Sequence, residues 1–300
     1  MLTAFTRRAV AALLVTSLVS PAMAEEFTKQ FAVSGRPKVQ VRLDDGSVQV
    51  ITSDSNQVEF RVKFEGYTLN RNLILETQQE GSEVELTART KDGISIGVPF
   101  KRLHAEVRMP KNADLQIHTG DGDIDVSEVN GEVQLQSGDG KIRVTRINGN
   151  VDLHSGDGAI NADALKGSIK LRTGDGSIDA SNIDGTCEAT TGDGGIRLSG
   201  RFDGLDLRSG DGGVTARAES GSTLTSTWSI RTGDGPVDLG IPRDLKANLD
   251  VSTSDGHVTL GLPVTVEGQV SSSRVSGKIN GGGPSVVIHS GDGSIRLGTS

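Results

Sequence analysis

The sequence predicts an all-β protein whose larger part is a parallel β-solenoid, β-helix-like, of about ten 18-residue coils with an N-terminal β-rich cap. Three observations predict this fold. A glycine-rich tetrad recurs at a fixed period, and apolar residues alternate with polar ones on both sides of it. Aromatic residues make up only 3% of the chain while glycine occupies 40 of 300 positions, which favours a thin, repetitive core over a thick globular one.

The repeating element is Ser/Thr-Gly-Asp-Gly, and its Asp defines the period. Asp recurs at 121, 139, 157, 175, 193 and 211, which is a spacing of 18 residues. The motif returns at Asp234, at Asp255 with Ser254 in place of the first glycine, and at Asp292. Between the last two, Ser276-Gly277-Lys278-Ile279 is interpreted as a degenerate copy.

The residues around each tetrad predict two strands per unit. Apolar residues stand four and six positions before each Asp, as Leu171 and Ile169 do, and three and five positions after it, as Ile178 and Ala180 do. Alternation with period 2 is typical of strands with one buried face. The units could form a chain of antiparallel hairpins, but coils are preferred because they stack identical residues about 4.8 Å apart.

A second turn closes each unit, at Asn130-Gly131, Asn148-Gly149, Lys166-Gly167, Asp184-Gly185 and Asp203-Gly204. Glycine at such corners is expected to supply a positive φ, which Asn and Asp also tolerate. Each coil is therefore a strand, a Gly-Asp-Gly turn, a second strand and a second turn.

The N-terminal third lacks the 18-residue period. Its candidate strands are Val39–Val50, Val58–Phe64, Leu73–Thr77, Val84–Thr90 and Leu103–Met109. Asp45-Gly46 resembles a hairpin turn within the first of them. The expected organisation is a signal peptide at 1–24, a β-rich cap at 25–113 that covers one end of the rod, and the repeat solenoid at 114–300.

The stretch from Val39 to about Val144 resembles the bacterial putative-adhesin family of unknown function, whose members are exported β-strand-repeat proteins. The resemblance lies in His104-Ala105-Glu106-Val107-Arg108-Met109-Pro110, then Ala113-Asp114-Leu115-Gln116-Ile117, then Thr119-Gly120-Asp121-Gly122. It implies a β-helix-like fold, in agreement with the coils, and carries no catalytic motif.

The N-terminus predicts export. Arg7 and Arg8 precede an apolar run, and Ala22-Met23-Ala24 supplies small residues for cleavage. Removing residues 1–24 takes away two of 31 basic residues and none of 39 acidic ones, so the net charge moves from −8 to −10. Such a charge disfavours nucleic acid as a partner. The expected location is periplasmic or secreted, with no stable membrane anchor.

Stacked coils would place the tetrad carboxylates along one edge. Neighbours 4.8 Å apart repel by about 0.9 kcal/mol at the dielectric of water, so a compensating interaction is expected. The preferred one is a hydrogen-bonded corner in which each Asp accepts N–H bonds in its own turn and the Ser/Thr side chains form a hydroxyl ladder. The alternative is calcium, with candidate ligands Asp121, Asp139, Asp157, Asp175, Asp193, Asp211, Asp234, Asp255 and Asp292.

No residue pattern predicts a catalytic centre. Polysaccharide-cleaving β-helices need acids that break the repeat at one place, whereas these Asp residues are evenly spread. Cys187 and Trp228 occupy inward positions and are expected in the core. The five histidines lack metal-ligand spacing. The outward residues before the tetrads that could line a binding face are His118, His154, Arg172, Arg208, Arg231 and His289.

The function expected from the sequence is a non-enzymatic binding or scaffold protein of the cell envelope, adhesin-like, whose partner is a protein or glycan of the envelope or surface. A carbohydrate-active enzyme on a β-helix and a calcium-stabilised structural rod are the alternatives. No cofactor other than calcium is expected.

Overall fold

The computed structural model describes residues 25–91, 101–266 and 271–300, so the predicted signal peptide at 1–24 lies outside the described residues. All regular elements of the described residues are β-strands, and they form one 24-stranded sheet. Within the same ranges there is no helix of the length and apolar character needed to span a bilayer. The predicted all-β class is confirmed.

The strands fall into three groups along the chain. The N-terminal group comprises β1 (Glu25–Ala32), β2 (Lys38–Leu43), β3 (Ser47–Ser53), β4 (Gln57–Glu65), β5 (Leu73–Glu80), β6 (Glu83–Thr90) and β7 (Arg102–Pro110). The central group comprises β8 (Asp114–Thr119), β9 (Ile124–Ser127), β10 (Val133–Ser137), β11 (Ile142–Asn148), β12 (Val151–Ser155), β13 (Ile160–Thr173), β14 (Ile178–Thr191), β15 (Ile196–Ser209), β16 (Val214–Ala218), β17 (Trp228–Thr232) and β18 (Val237–Ile241). The C-terminal group comprises β19 (Ala247–Thr253), β20 (Val258–Leu260), β21 (Thr265–Val266), β22 (Arg274–Ile279), β23 (Ser285–Ser290) and β24 (Ile295–Thr299).

The central strands form two parallel ladders, one on each side of the tetrads. On face A, the sheet of strands that precede the tetrads, Leu115, Val133 and Val151 lie directly opposite one another in β8, β10 and β12. On face B, the sheet of strands that follow the tetrads, Ile142 lies opposite Ile124 and Ile160. The parallel register confirms the solenoid and excludes the chain of hairpins.

The core is a narrow column of stacked side chains between the two faces. Ile160 and Leu171, from opposite faces of the stack, are both 0% exposed. The four apolar columns predicted from the repeat are buried throughout, except at Val258 and Leu260 in the terminal coil, which are half-buried. Each coil therefore buries its apolar residues mainly against the coils above and below it.

The tetrad glycines are required by the close approach of stacked backbones. A Cβ on Gly156 would lie 2.5 Å from the carbonyl oxygen of Gly138, and one on Gly158 would lie 2.1 Å from that of Gly140. Neither glycine has a positive φ, so close backbone approach, and not backbone conformation, requires glycine at this corner. At the second turn the expected positive φ is found at Gly149 (146°), Gly167 (127°) and Gly185 (140°), but the expectation is wrong for Gly131 and Gly204.

The first coil of the N-terminal region lies inside the stack. β2 and β3 pair in parallel with β8 and β9 on one side and with β6 and β7 on the other. Leu43 lies opposite Thr119 and Val48 opposite Ile124, which places Asp45 level with Asp121. Asp45-Gly46 is thus another coil corner, and the predicted hairpin turn is wrong.

Antiparallel strands cover the N-terminal end. On face B, β7 pairs with β4 and β4 pairs with β1, and on face A β6 pairs with β5. Phe60 is fully buried and packs edge-on against Phe31, with 6.0 Å between ring centroids. These strands break the repeat and end the stack.

The C-terminal coil is inserted out of chain order. β23 pairs in parallel with both β17 and β19, and β24 pairs in parallel with both β18 and β20. The tetrad of Asp292 therefore lies between those of Asp234 and Asp255. The segment Ser276–Ile279 is not a degenerate coil, because it belongs to β22, which pairs antiparallel with β19 at the end of the stack.

Candidate functional site

The tetrads form one edge of the solenoid, and their backbones are linked coil to coil. The N–H of Gly156 donates to the carbonyl of Gly138 (2.5 Å), and the N–H of Gly192 donates to that of Gly174 (2.5 Å). The nine predicted Asp residues share this edge and are exposed, and Asp45 extends the row. The structure thus places all nine along one edge of the stack, one per coil.

The buried Ser/Thr side chains, rather than the Asp carboxylates, hold each corner together. Ser155 Oγ donates to the carbonyl of Gly140 in the preceding coil (2.9 Å) and accepts from the N–H of Gly158 in its own turn (3.1 Å). The hydroxyl ladder is confirmed. Its members are Thr119, Ser137, Ser155, Thr173, Thr191, Ser209, Thr232, Thr253 and Ser290.

The Asp side chains take little part in the corner. Asp45 accepts from the N–H of Asp121 (3.3 Å), a bond between two coils. The carboxylates of the nine predicted residues make no hydrogen bond or ion pair with the described part of the chain. The expectation that each accepts N–H bonds in its own turn is therefore wrong. Calcium binding at this edge stays a prediction, and no group of three or more potential metal ligands occurs among the described residues.

Face A presents an outward column of basic and polar residues, one per coil, which we call the cationic column. Its order along the rod follows from the strand registers: Arg42, His118, Gln136, His154, Arg172, Thr190, Arg208, Arg231, His289 and Ser252. All six residues predicted for a binding face belong to it. Arg42 was missed because its coil carries Asp44-Asp45-Gly46 in place of the full tetrad.

Some members of the cationic column are paired with acids of the neighbouring column. Arg172 contacts Asp152 (3.3 Å) and Glu188 (3.1 Å). Arg208 contacts Asp206 (2.6 Å) in its own strand, and Arg42 pairs with Glu85 of β6. These exposed pairs contribute little to stability, so a ligand can compete for them at small cost.

Other members have no acidic partner among the described residues. Arg231 donates to Ser229 Oγ (2.6 Å), and His289 Nδ1 lies 3.2 Å from Ser252 Oγ. His118 and His154 make no hydrogen bond within the described part of the chain. The column therefore offers several unoccupied polar groups to solvent.

Two shallow depressions lie along the cationic column. One of about 780 Å³ is lined by Arg42, Gln78 and Glu85 of the N-terminal strands together with His118. The other, of about 250 Å³, is lined by His118, Gln136, His154 and Arg172. Because His118 lines both, they form one continuous surface from β5 to β13.

Face B carries a groove of about 520 Å³ that the sequence did not predict. Its charges are paired coil to coil, as in Arg197 with Asp179 (3.1 Å). Asp163 accepts hydrogen bonds from Ser181 (2.6 Å) and Asn182 (2.7 Å), which hold the pKa of its carboxyl below the usual range. The available signal was the number of small inward residues beneath the groove, Ala162, Ala180 and Ala216, in a column that Leu198 interrupts.

Cys187 and Trp228, which the sequence predicted to be core residues, both lie in the core. Cys187 is buried, and burial raises the pKa of its thiol to about 12, with a smaller contribution from Glu188. Trp228 is 0% exposed and packs edge-on against Phe202, with 6.3 Å between ring centroids. Neither residue reaches the outward faces. A further histidine, His104 of β7, bonds Ser47 through Nδ1 (2.8 Å), and burial lowers its pKa.

Two parallel ladders, closed by antiparallel strands at the N-terminal end of both faces and at the C-terminal end of face A, define a capped parallel β-solenoid. The chain belongs to the Toastrack DUF4097 family, whose model matches residues 37–298. The match takes in the inserted first coil as well as the repeats. The predicted resemblance to a putative-adhesin family of unknown function is confirmed.

Three solved structures are similar to this chain at low identity. A putative cell adhesion protein from Clostridium sporogenes is 14% identical, with 93% of this chain and 100% of that chain covered and a TM-score of 0.25. A putative adhesin from Bacteroides fragilis is 10% identical, with 91% and 97% covered and a TM-score of 0.38. A putative lipid binding protein from Parabacteroides distasonis is 13% identical, with 91% and 96% covered and a TM-score of 0.34. No curated protein matches the chain.

Proposed function

We propose that this protein is an exported, non-enzymatic binding protein of the cell envelope that holds an extended glycan along face A. The observation that carries the proposal is the cationic column, which repeats an outward polar side chain on ten successive coils. A ligand with a repeating structure can make a polar contact on each coil. Many weak contacts at a spacing of about 4.8 Å then add to a useful affinity.

The chemistry of face A suits a polar polymer. Arg, His, Gln and Thr side chains offer both donors and acceptors, and the depressions around His118 are shallow and open to solvent. Asp152 and Glu188, in the next column, add carboxylates that accept from hydroxyl groups. Such a surface favours a hydroxyl-rich chain over an apolar ligand.

The electrostatics of the grooves supports a binding role. A glycan-cleaving enzyme needs a general acid whose pKa is raised above its usual range. In the face B groove the pKa of Asp163 is moved in the opposite direction by its two hydrogen-bond donors. Asp152 and Asp179 are held in ion pairs that recur along the stack.

Export and location rest on the N-terminal residues. The apolar run after Arg8 and the small residues before Glu25 are typical of a cleaved signal peptide. The chain has one cysteine, which is buried, so it forms no internal disulfide. Its folding therefore does not depend on thiol oxidation in an oxidising compartment. We therefore place the protein in the periplasm or outside the cell.

The test is calorimetric titration of the mature protein with three soluble polymers: a neutral β-glucan, a uronic-acid polymer and peptidoglycan fragments. The variant His118→Ala/Gln136→Ala/His154→Ala changes three successive coils of face A. None of these side chains makes a hydrogen bond within the described residues, so stability should be retained.

The control variant is Thr145→Ala/Asn161→Ala/Thr215→Ala on face B, which also removes no side-chain hydrogen bond within the described residues. The proposal expects binding of at least one polymer that falls at least tenfold (about 1.4 kcal/mol) in the face A variant and is unchanged in the control. Loss of binding in the control alone would assign the ligand to face B instead. Failure of all three polymers to bind would overturn the glycan proposal in favour of a protein partner.

A further inference from the structure

The C-terminal coil, residues 285–299, occupies a slot with a matching surface on each side. Val286 lies opposite Trp228 of β17 and also opposite Leu249 of β19. Ile295 lies opposite Val237 of β18 and also opposite Val258 of β20. Both flanks come from coils that precede this segment in the chain, so the segment enters between two coils already defined by other residues.

The slot contacts the C-terminal coil through the same buried apolar and hydroxyl positions that every coil repeats. Val286, Ile288, Ile295 and Leu297 are each at most 1% exposed. Ser290 Oγ donates to the carbonyl of Gly235 (3.1 Å) and accepts from the N–H of Gly293 (3.0 Å). These contacts depend only on the sequence of the inserted coil and of the slot, and an identical coil from another copy would make all of them.

A short connection joins the coil to β22. Asn280, Gly281 and Gly282 all have positive φ, at 50°, 87° and 90°. A Cβ built on Gly281 would meet nothing within 4 Å, so this part of the connection is unpacked. Gly282 is packed, since a Cβ built on it would lie 2.8 Å from Asn248 Oδ1, so the freedom of the connection is confined to Gly281. A glycine without packing contacts adopts other backbone angles at low cost, which is the property of a hinge.

We propose that the C-terminal coil exchanges between two copies of this chain, so that the slot between β17–β18 and β19–β20 is an interaction surface for a second copy. Exchange preserves every contact in the slot and changes only the hinge, which makes it a low-cost route to a dimer. The central coils have no such route, because continuous strands such as β13 and β14 tie each of them to the next.

The experiment mixes two full-length variants that each add one cysteine to the native Cys187, Arg231→Cys and His289→Cys, under oxidising conditions. These positions are directly opposite in β17 and β23 and point outward. A disulfide between two chains then forms when the coil of one copy occupies the slot of the other. The native Cys187 does not compete, because its buried thiol is held protonated with a pKa of about 12.

The matched control mixes Gln136→Cys with His154→Cys, which are opposite in the same column of two central coils. A chain that carries both Arg231→Cys and His289→Cys shows that the geometry permits a disulfide. We expect a linked dimer that grows with time for the 231/289 mixture and stays at background for the 136/154 mixture, read on a non-reducing gel. A cross-link within the double variant but no excess dimer in the 231/289 mixture would overturn the proposal.

Discussion

The middle of the rod and its two ends are built from the same coil, but they are assembled differently. The seven coils with tetrads from Asp121 to Asp234 follow one another in chain order. At each end one coil is inserted out of order, 38–53 near the N-terminal end and 285–299 near the C-terminal end. The repeat residues therefore make a segment a coil without deciding its place in the stack.

The inserted coils leave non-repeating strands on the outside. β4 and β5 cover the N-terminal end, and β22 covers the C-terminal side, all in antiparallel pairing. Open edges of a parallel stack would recruit further strands and aggregate. The arrangement places regular coils inside and antiparallel strands that lack the repeat outside, which keeps the rod finite.

The largest expected effect comes from a charge in the core. Ile160→Asp or Leu171→Asp buries a carboxylate in a central column that is 0% exposed, and we expect a loss of about 4 kcal/mol or more and cooperative unfolding. Ile295→Asp, at 1% exposure in the C-terminal coil, should release that coil and leave the central stack folded.

Far-UV circular dichroism with heating measures this difference, and alkylation of Cys187 reports on the central coils separately. The thiol should become reactive in the Ile160→Asp protein and stay protected in the Ile295→Asp protein. Retained thermal stability of Ile160→Asp would show that the inward columns are assigned incorrectly.

The next effect concerns the stacked glycines. Gly156→Ala places a Cβ 2.5 Å from the Gly138 carbonyl oxygen, so the stack must shift, and we expect a loss of about 2–4 kcal/mol. Gly298→Ala in the C-terminal coil meets nothing within 4 Å and should change stability by less than about 0.5 kcal/mol. Urea unfolding measures both, and equal losses would argue against backbone contact as the reason for glycine.

The hydroxyl ladder allows the same substitution to be compared in a central coil and in the C-terminal coil. Ser155→Ala and Ser290→Ala each remove one donated and one accepted hydrogen bond at a buried corner. We expect each to cost about 1–3 kcal/mol in urea unfolding, because a buried N–H and C=O lose their partner. A clearly smaller cost at Ser290 would mean that the C-terminal coil opens independently of the central stack.

The smallest effect belongs to the Asp edge. Asp157 has a carboxylate neighbour on both sides, Asp139 and Asp175, whereas Asp255 in the last coil has only Asp292. Asp157→Asn should therefore raise the melting temperature more than Asp255→Asn, and the gain should shrink with added salt. Melting with calcium and with chelator tests the metal hypothesis, since a calcium site would make Asp157→Asn destabilising in calcium.

Part of the candidate site could be predicted from the sequence. His118, His154, Arg172, Arg208, Arg231 and His289 share one outward position relative to the tetrad, and the solenoid places them in one column. Arg42 joins them because β2 pairs with β8. His289 becomes the neighbour of Arg231 because β23 is inserted. Neither adjacency follows from distance along the chain.

One amino-acid sequence was enough to predict the coil: its period, its two strands, its inward columns and its hydroxyl ladder. These properties follow from local alternation and from residues that each coil repeats, and so they can be read from one chain. The order of the terminal coils, the face B groove and the reason for the tetrad glycines became visible only in the folded chain. Every coil presents nearly the same columns to its neighbours, so many stacking orders satisfy the pattern, and only long-range pairing and end closure select one.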